Sequence, residues 1–197
     1  MARTNSVSAL TTDLLLAAYA EGFFPMGNEE GRLEWHNPDP RAVFPLEDLK
    51  PNGRFRRFLR NSGLRCTIDA GFEVVMRHCA TAHGDSWITE EMIEAYTALH
   101  RMGHAHSVET WEGDALVGGI YGVTIGAAFF GESMFSLVPN ASKAAFFHLA
   151  EHLRECGFTL FDSQYLNDHT ASLGAIEIIQ PDFLERLEDA IHRKNSF

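Results

Sequence analysis

The sequence predicts a soluble α/β (α+β) fold with a mostly antiparallel central sheet, and three observations lead to that prediction. The chain has 197 residues, of which 45% are hydrophobic, so it can bury a sizeable core. Three strand-like segments follow one another between residues 106 and 135, separated by short turns. Segments with helical periodicity precede and follow this run, which is typical of helices packed on a mixed sheet.

The first 64 residues are predicted to form a small N-terminal lobe. Apolar residues recur with a helical period over residues 10–24, which predicts the first helix. Residues 27–45 are rich in Gly, Pro, Asn and Asp, which predicts an extended loop at the rim of a binding site. A short amphipathic helix is predicted over residues 54–60, with phenylalanines on one side and arginines on the other.

Residues 65–197 are predicted to form the main, catalytic domain. One apolar stripe at helical spacing ends before Gly103 and another ends before Gly157, and glycine commonly follows the last turn of a helix. The predicted elements are a strand at 65–69, helices at 72–79 and 90–102, strands at 106–112, 115–123 and 127–135, a helix at 143–156, a strand at 158–162 and a last helix at 182–193.

Charge is distributed unevenly along the chain. The net charge of -11 argues against a nucleic-acid partner, because phosphate binding needs Lys and Arg. Residues 1–65, however, carry nine basic and eight acidic side chains, whereas residues 66–197 carry seven basic and nineteen acidic ones. Six of the basic side chains fall within residues 50–65, with no acidic residue among them. The sequence therefore predicts one compact basic patch on an acidic molecule.

Cysteine usage and hydropathy indicate the compartment. The three cysteines, Cys66, Cys79 and Cys156, are widely spaced and form no C-x-x-C pair, so they indicate neither a disulfide framework nor a zinc ribbon. No stretch approaches the roughly 18 apolar residues that a membrane helix needs. We expect a cytoplasmic protein that does not associate with a membrane.

Three polar residues lie among aromatic residues at or near predicted strands. These residues are Glu132, Asp162 and Gln164. An unpaired polar group in apolar surroundings costs free energy, and such placements are frequent at functional sites. Alternatively, the two carboxylates pair with Lys143, Arg154 or backbone amides and only hold the sheet together. The residues by themselves leave both interpretations open.

A second function class is raised by an H-x-x-E-H pattern at residues 148–152. His148 and His152 could bind zinc from one face of a helix while Glu151 acts as a base, as in zinc hydrolases. The apolar stripe already explains that helix, however, and its other face would be polar in any case. The zinc-dependent hydrolase is therefore kept as the alternative hypothesis.

Two tryptophans and a run of arginines are candidates for nucleic-acid contact. Trp35 and Trp87 lie in loop-type segments, where they either stack on a base or pack as a lid over the core. The predicted arginine helix either contacts phosphates or is a solvated helix face. Its candidate tRNA-binding residues are Arg54, Arg56, Arg57 and Arg60.

Several longer segments resemble one family, the leucyl/phenylalanyl-tRNA–protein transferases. The resemblance extends over about residues 10–187, with its motifs in the same order as in the family. The segments are YAEGFFPM at 19–26, WHNPDPR at 35–41, WI at 87–88, HSVE at 106–109, GGIYG at 118–122, FGESMFS at 130–136, NASK at 140–143, DSQ at 162–164 and HTASLGA at 169–175.

This resemblance implies a GNAT-like acyltransferase core behind a small N-terminal lobe, with no metal and no coenzyme. It implies transfer of Leu or Phe, and less readily Met, from aminoacyl-tRNA to proteins that begin with Arg or Lys, which marks those proteins for degradation. The basic patch would then hold the tRNA, and the acidic part would attract the doubly charged N-terminus. A non-catalytic peptide-binding or RNA-binding module on the same scaffold is a third hypothesis.

The resemblance also implies roles for single residues. Asp162 and Gln164 match the pair that orients and activates the attacking amine, and Glu132 matches a carboxylate that positions the substrate. Whether Asp162 takes the proton itself or only orients the amine is left open, and Asp162→Ala is expected to lower turnover far more than fold stability. The implied substrate-binding residues are Trp35, Trp87, Ile120, Phe129, Gly131, Met134, Leu153 and Phe161.

Overall fold

The structure is a computed structural model, and it describes residues 10–82 and 87–197. The helices are α1 (Thr12–Ala20), α2 (Gly53–Ser62), α3 (Phe72–Ala82), α4 (Glu90–Arg101), α5 (Ala141–Glu155), α6 (Asp168–Leu173) and α7 (Gln180–Ile191). The strands are β1 (Phe24–Gly27), β2 (Leu33–His36), β3 (Arg41–Phe44), β4 (Leu64–Ile68), β5 (Ala105–Glu112), β6 (Ala115–Ile125), β7 (Ala128–Ser136), β8 (Leu160–Gln164) and β9 (Ile176–Ile178).

Seven strands form one sheet in the order β4-β5-β6-β7-β8-β3-β9, and β1 and β2 form a separate hairpin. Every neighbouring pair in the large sheet is antiparallel except β7 and β8, which are parallel and are joined through α5. The prediction of a mixed fold with a mostly antiparallel sheet is confirmed. None of the helices within the described ranges is long and apolar enough to cross a membrane.

Two apolar cores lie on opposite faces of the sheet. One combines residues of α1, α3, α4 and α7 with one face of β6 and β7, and Tyr96 and Phe130 are buried in it. The other packs α5 on the opposite face, and Phe146 and Phe161 are buried in it. Helices therefore cover both faces of the sheet, and a point where neighbouring strands separate is one place where a site can open.

The structure contains several short elements that the sequence analysis did not predict. The segment at 27–45, predicted as an extended loop, contains β2 and β3, and β3 lies inside the large sheet between β8 and β9. The strand was missed because prolines and polar turn residues surround only four strand residues. The sequence also missed β1, α6 and β9. The division into a lobe of residues 1–64 and a domain of residues 65–197 stays a prediction, and residues 1–9 lie outside the described residues.

Candidate active site

A cavity of about 490 Å³ opens beside the parallel pair β7 and β8. The two strands pair through Phe130 and Asp162, and within the described residues their pairing ends there. Glu132 and Gln164 each lie two residues further along, so both come to the point where the strands part. The cavity is lined by Met26, Phe44, Ala82, Trp87, Ile120, Gly131, Glu132, Ser133, Met134, Phe135, Ser136, Ser142, Phe161, Ser163, Gln164, Tyr165, Asn167, His169 and Thr170.

Glu132 occupies a break in the β6–β7 ladder. Tyr121 of β6 is opposite Ser133 and the next residue, Gly122, is opposite Gly131, so Glu132 has no partner across the ladder. Such a bulge redirects the side chain of the extra residue. Glycine is needed at position 122 beside this bulge, because a Cβ there would lie 2.3 Å from the carbonyl oxygen of Phe130.

The carboxyl group of Glu132 is buried, with 9% of the residue exposed. Its Oε1 accepts hydrogen bonds from the Tyr19 hydroxyl at 2.7 Å and from the Gln164 amide nitrogen at 2.9 Å. Its Oε2 is also buried and has no hydrogen-bond donor within the described residues. Burial in these surroundings raises the pKa of Glu132 from 4.5 to about 8, although the Tyr19 hydrogen bond acts in the opposite direction.

Asp162 lies behind the cavity wall and is fully paired. Its Oδ1 and Oδ2 accept hydrogen bonds from the Arg41 guanidinium at 2.9 and 2.6 Å, and neither side chain is exposed. Arg41 also donates to the Gly22 carbonyl, and its guanidinium lies over the rings of Phe24 and Phe183 at 4.8 and 4.4 Å. The bidentate pair fixes Asp162, and Asp162 is not among the residues that line the cavity.

Gln164 connects the two carboxyl groups. Its backbone N–H donates to Asp162 Oδ1 at 2.9 Å, and its side-chain amide donates to Glu132. Its φ of 64° lies in the left-handed region, which is uncommon for residues other than glycine. A bulge between β3 and β8 also occurs at this point, where Gln164 is opposite Ala42 but Asp162 is opposite Val43. The main chain is therefore bent so that the Gln164 amide reaches the cavity.

The predicted substrate-binding residues divide into two groups. The structure brings five of them to the cavity, namely Trp87, Ile120, Gly131, Met134 and Phe161. Phe129 and Leu153 are instead buried in the core under α5, where Phe129 packs edge-on against Phe161. Trp35 is 38% exposed on β2 opposite Pro25 and does not line the cavity.

Trp87 is held at the cavity by close contact with β1. The Gly27 N–H donates to the Trp87 carbonyl at 2.9 Å. A Cβ at Gly27 would lie 2.5 Å from that same oxygen, so glycine is required for the approach. Trp87 is thereby fixed at the cavity wall while Trp35 lies on the outer hairpin.

The four predicted tRNA-binding arginines lie on the outer face of α2. Phe55 is buried and packs against Phe147 of α5 at 5.5 Å between ring centroids, which fixes the helix to the domain. The arginine side chains are exposed, and within the described residues none forms a salt bridge with Asp or Glu. These four arginines of α2 are Arg54, Arg56, Arg57 and Arg60.

The H-x-x-E-H residues are not gathered into a metal site. His148 and Glu151 line a second cavity between α2 and α5, whereas His152 packs against the Phe197 ring. Across residues 10–82 and 87–197, no group of three or more His, Cys, Asp or Glu side chains is placed to hold a metal ion. The geometry does not support the zinc hydrolase.

Two residues that matter to the site were missed by sequence reasoning. Arg41 appears in the sequence analysis only as the last residue of the WHNPDPR segment, and its role was missed because its partner Asp162 is 121 residues away in the chain. Tyr19 was read only as part of a helix and of the family motif, yet it donates to Glu132 across 113 residues. The place of Arg41 in that family-like segment, directly before the apolar residues 42–44, is a signal that could have found it.

Comparison with known proteins defines the class of this site. The model of the leucyl/phenylalanyl-tRNA–protein transferase family matches residues 43–188, and the model of that family's N-terminal domain matches residues 8–39. The chain is 46% identical to the enzyme of that name from Gloeobacter violaceus, over 92% of this chain and 94% of that protein. It is 47% identical to the one from Cereibacter sphaeroides, over 96% and 89% respectively.

Among solved structures, a conserved protein of unknown function from Staphylococcus epidermidis aligns with a TM-score of 0.45 at 10% identity, over 85% of this chain and 64% of that chain. The sequence matches, by contrast, extend over nearly the whole chain at close to half identity. They define the protein as an aminoacyltransferase. The chain belongs to the leucyl/phenylalanyl-tRNA–protein transferase family.

Proposed function

We propose that this enzyme transfers Leu or Phe, and less readily Met, to proteins whose N-terminal residue is Arg or Lys, and that the transfer marks them for degradation in the cytoplasm. The observation that carries the proposal is a single cavity in which an apolar wall adjoins a buried carboxyl and an amide. Ile120, Met134 and Phe161 supply an apolar surface that suits a branched or aromatic side chain. Glu132 and Gln164 supply the polar groups that an ester and an amine require.

The proposed reaction is aminolysis of an ester. The acceptor's α-amine, with a pKa of about 8, must lose a proton and attack the aminoacyl carbonyl carbon. The Gln164 nitrogen donates to Glu132, which leaves the Gln164 carbonyl oxygen available to accept a hydrogen bond from the amine. Asp162 supports the bent backbone at Gln164. The contribution of this arrangement is orientation of the amine toward the ester.

Charge supports the two macromolecular substrates. The exposed arginines of α2 would bind the phosphates of the acceptor stem, since they have no competing carboxylate within the described residues. Residues 66–197 carry twelve more acidic than basic side chains, and their field favours an acceptor with two positive charges at its N-terminus. The basic helix would thus recruit the negatively charged tRNA, and the acidic part of the chain would recruit the positively charged N-terminus of the acceptor.

A labelling experiment tests the proposal. Purified protein is incubated with radiolabelled Phe-tRNA and peptides that begin with Arg, Lys, Met or acetyl-Arg. We expect label on the Arg and Lys peptides and none on the Met and acetyl-Arg peptides. Equal labelling of the Met peptide would contradict the acceptor preference, and absence of label on all peptides would contradict the proposed transfer.

A further inference from the structure

The two buried carboxyl groups of the site differ in what surrounds them. Asp162 has both oxygens bonded to Arg41 and does not line the cavity, so it has no oxygen placed to meet a substrate. Glu132 does line the cavity, and within the described residues its Oε2 receives no hydrogen bond. Of these two residues, Glu132 is the one that lines the cavity.

A third buried carboxyl group, that of Glu109, shows how the fold satisfies a carboxylate that does not line the cavity. Glu109 lies on β5 and is completely buried. Its Oε2 accepts from the Thr67 hydroxyl at 2.6 Å and the Ala70 N–H at 3.2 Å, and its Oε1 accepts from the Ser107 hydroxyl at 2.6 Å and the Gly71 N–H at 3.2 Å. Four donors satisfy Glu109, whereas the two donors of Glu132 share one oxygen. The incomplete pairing of Glu132 thus differs from the usual pattern for a buried carboxylate.

The environment of Glu132 suits it to exchange a proton near neutral pH. Burial raises its pKa to about 8, close to the pKa of about 8 of a free α-amine. A proton can then pass between amine and carboxylate with little change in free energy, which is the condition for efficient general base catalysis. A carboxylate of ordinary pKa, near 4, would hold the same proton roughly 10⁴-fold less well.

We propose that Glu132 is the catalytic residue that accepts the proton of the attacking amine, and that Asp162 is a positioning residue acting through Gln164. This inference rests on the proposed aminoacyl transfer. As the N–C bond forms, the amine proton passes to the Glu132 carboxylate and the carbonyl π pair moves to the carbonyl oxygen. When the carbonyl re-forms, the bond to the tRNA 3′ oxygen breaks, and the proton passes from Glu132 to that oxygen. Glu132 is left ionised and no other reactant is consumed.

Tyr19 tunes this proton acceptor. Its hydroxyl donates to Glu132 Oε1 and is itself hydrogen-bonded to the Tyr96 hydroxyl, deep in the core. Because that donation stabilises the carboxylate, it lowers the pKa of Glu132 against the larger effect of burial. Removing the hydroxyl must therefore raise the pKa of Glu132 without altering the pKa of the acceptor peptide.

The decisive variants are Glu132→Gln and Tyr19→Phe, with Glu109→Gln as the matched control. Transfer of Phe from tRNA to an Arg-initiated peptide is measured between pH 6 and 9.5. We expect Glu132→Gln to lower kcat by about 10²- to 10⁴-fold while the donor KM changes less than about threefold. Tyr19→Phe should shift the rising limb of kcat/KM to higher pH. Glu109→Gln should lose stability but keep the kcat and pH profile of the wild-type protein.

A rival proton acceptor is present at the rim of the cavity. His169 is exposed there and contacts the Met134 sulfur at 3.1 Å. If His169→Asn removed the pH limb while Glu132→Gln kept it, the role would belong to the histidine and the proposal would be overturned. It would also be overturned if Glu132→Gln retained kcat within threefold, or if Tyr19→Phe left the limb unmoved. An inactive wild-type protein would instead refute the aminoacyl transfer on which the inference rests.

Discussion

Arg41→Ala should strongly destabilise the fold, because it removes one partner of a completely buried ion pair. Neither Arg41 nor Asp162 is exposed, and two hydrogen bonds of 2.9 and 2.6 Å join them. Removing one partner leaves the other charge uncompensated, which typically costs about 3–5 kcal/mol. The variant also loses the contacts of the guanidinium with Phe24 and Phe183 and leaves the Gly22 carbonyl without that donor.

We expect a loss of about 4 kcal/mol, out of the roughly 5–15 kcal/mol that stabilise a typical domain. For a chain of this length the loss corresponds to a fall in Tm of roughly 8–16 °C. Urea unfolding followed by circular dichroism measures it. The control is Arg193→Ala, whose ion pair with Asp189 is about half exposed and should contribute no more than about 0.5 kcal/mol.

The same pair alters the expectation for Asp162→Ala. From the sequence, that change should affect turnover far more than stability, but in the structure it isolates the buried Arg41 charge. We therefore expect a loss of stability similar to that of Arg41→Ala. In the double variant Arg41→Ala with Asp162→Ala, the two losses should fall short of adding by at least about 2 kcal/mol. Simple additivity, or a cost below about 1 kcal/mol for Arg41→Ala, would refute the reasoning.

Three further predictions concern other parts of the molecule. The pKa of Glu132 is raised from 4.5 to about 8, so between these two pH values the native state keeps a proton that the unfolded chain has already released. As the pH rises through this window, the free energy of unfolding of the wild-type protein should fall by up to about 1.4 kcal/mol per pH unit relative to that of Glu132→Gln. Urea unfolding at pH 5 to 8 checks this, and a constant difference between the two proteins would contradict it. Arg56→Ala with Arg60→Ala should weaken tRNA binding and reduce the slope of log K against log salt by about 1.4 to 1.8; an unchanged slope in a filter-binding titration would show that these side chains do not contact phosphate. Gly122→Ala should cost about 2 kcal/mol or more in thermal unfolding, since its Cβ would lie 2.3 Å from the Phe130 carbonyl oxygen, and a Tm within 2 °C of wild type would show that the β-bulge is not rigid.

The elements that follow a simple period were predictable from the sequence. Helix α5 was predicted at 143–156 and lies at Ala141–Glu155, and strands β5, β6 and β7 were each located within two residues at either end. Their apolar residues repeat with the spacing that burial of one or both faces requires. The short strand β3 has no such repeat, and nothing near it in the chain indicates that it lies between β8 and β9.

The sequence predicted which polar residues belong to the candidate site, but not which residues they are hydrogen-bonded to. Glu132 and Gln164 are predicted site residues because they are polar groups among aromatic residues. In the structure, the Gln164 amide nitrogen lies 2.9 Å from Glu132 Oε1. Their different partners could not be read from the sequence, because Tyr19 and Arg41 are more than one hundred residues away in the chain. The sequence shows that these polar side chains lie among aromatic residues, which marks them as candidates. The different roles proposed for Glu132 and Asp162 depend on their long-range contacts with Tyr19 and Arg41.

The β-bulges explain why local pattern cannot reveal this division. Phe130 and Phe135 are five residues apart, so regular alternation would send them to opposite faces, yet both are buried in the same core. Glu132 is an extra residue between Gly131 and Ser133, and it shifts the alternation of side chains by one residue, so that Phe130 and Phe135 face the same side of the sheet. A bulge has no fixed sequence signature, since it is defined by the partner strand. Glu132 can remain without a partner in the ladder while Phe130 and Phe135 both stay in the core, and this arrangement is the structural condition for the proton exchange proposed for Glu132.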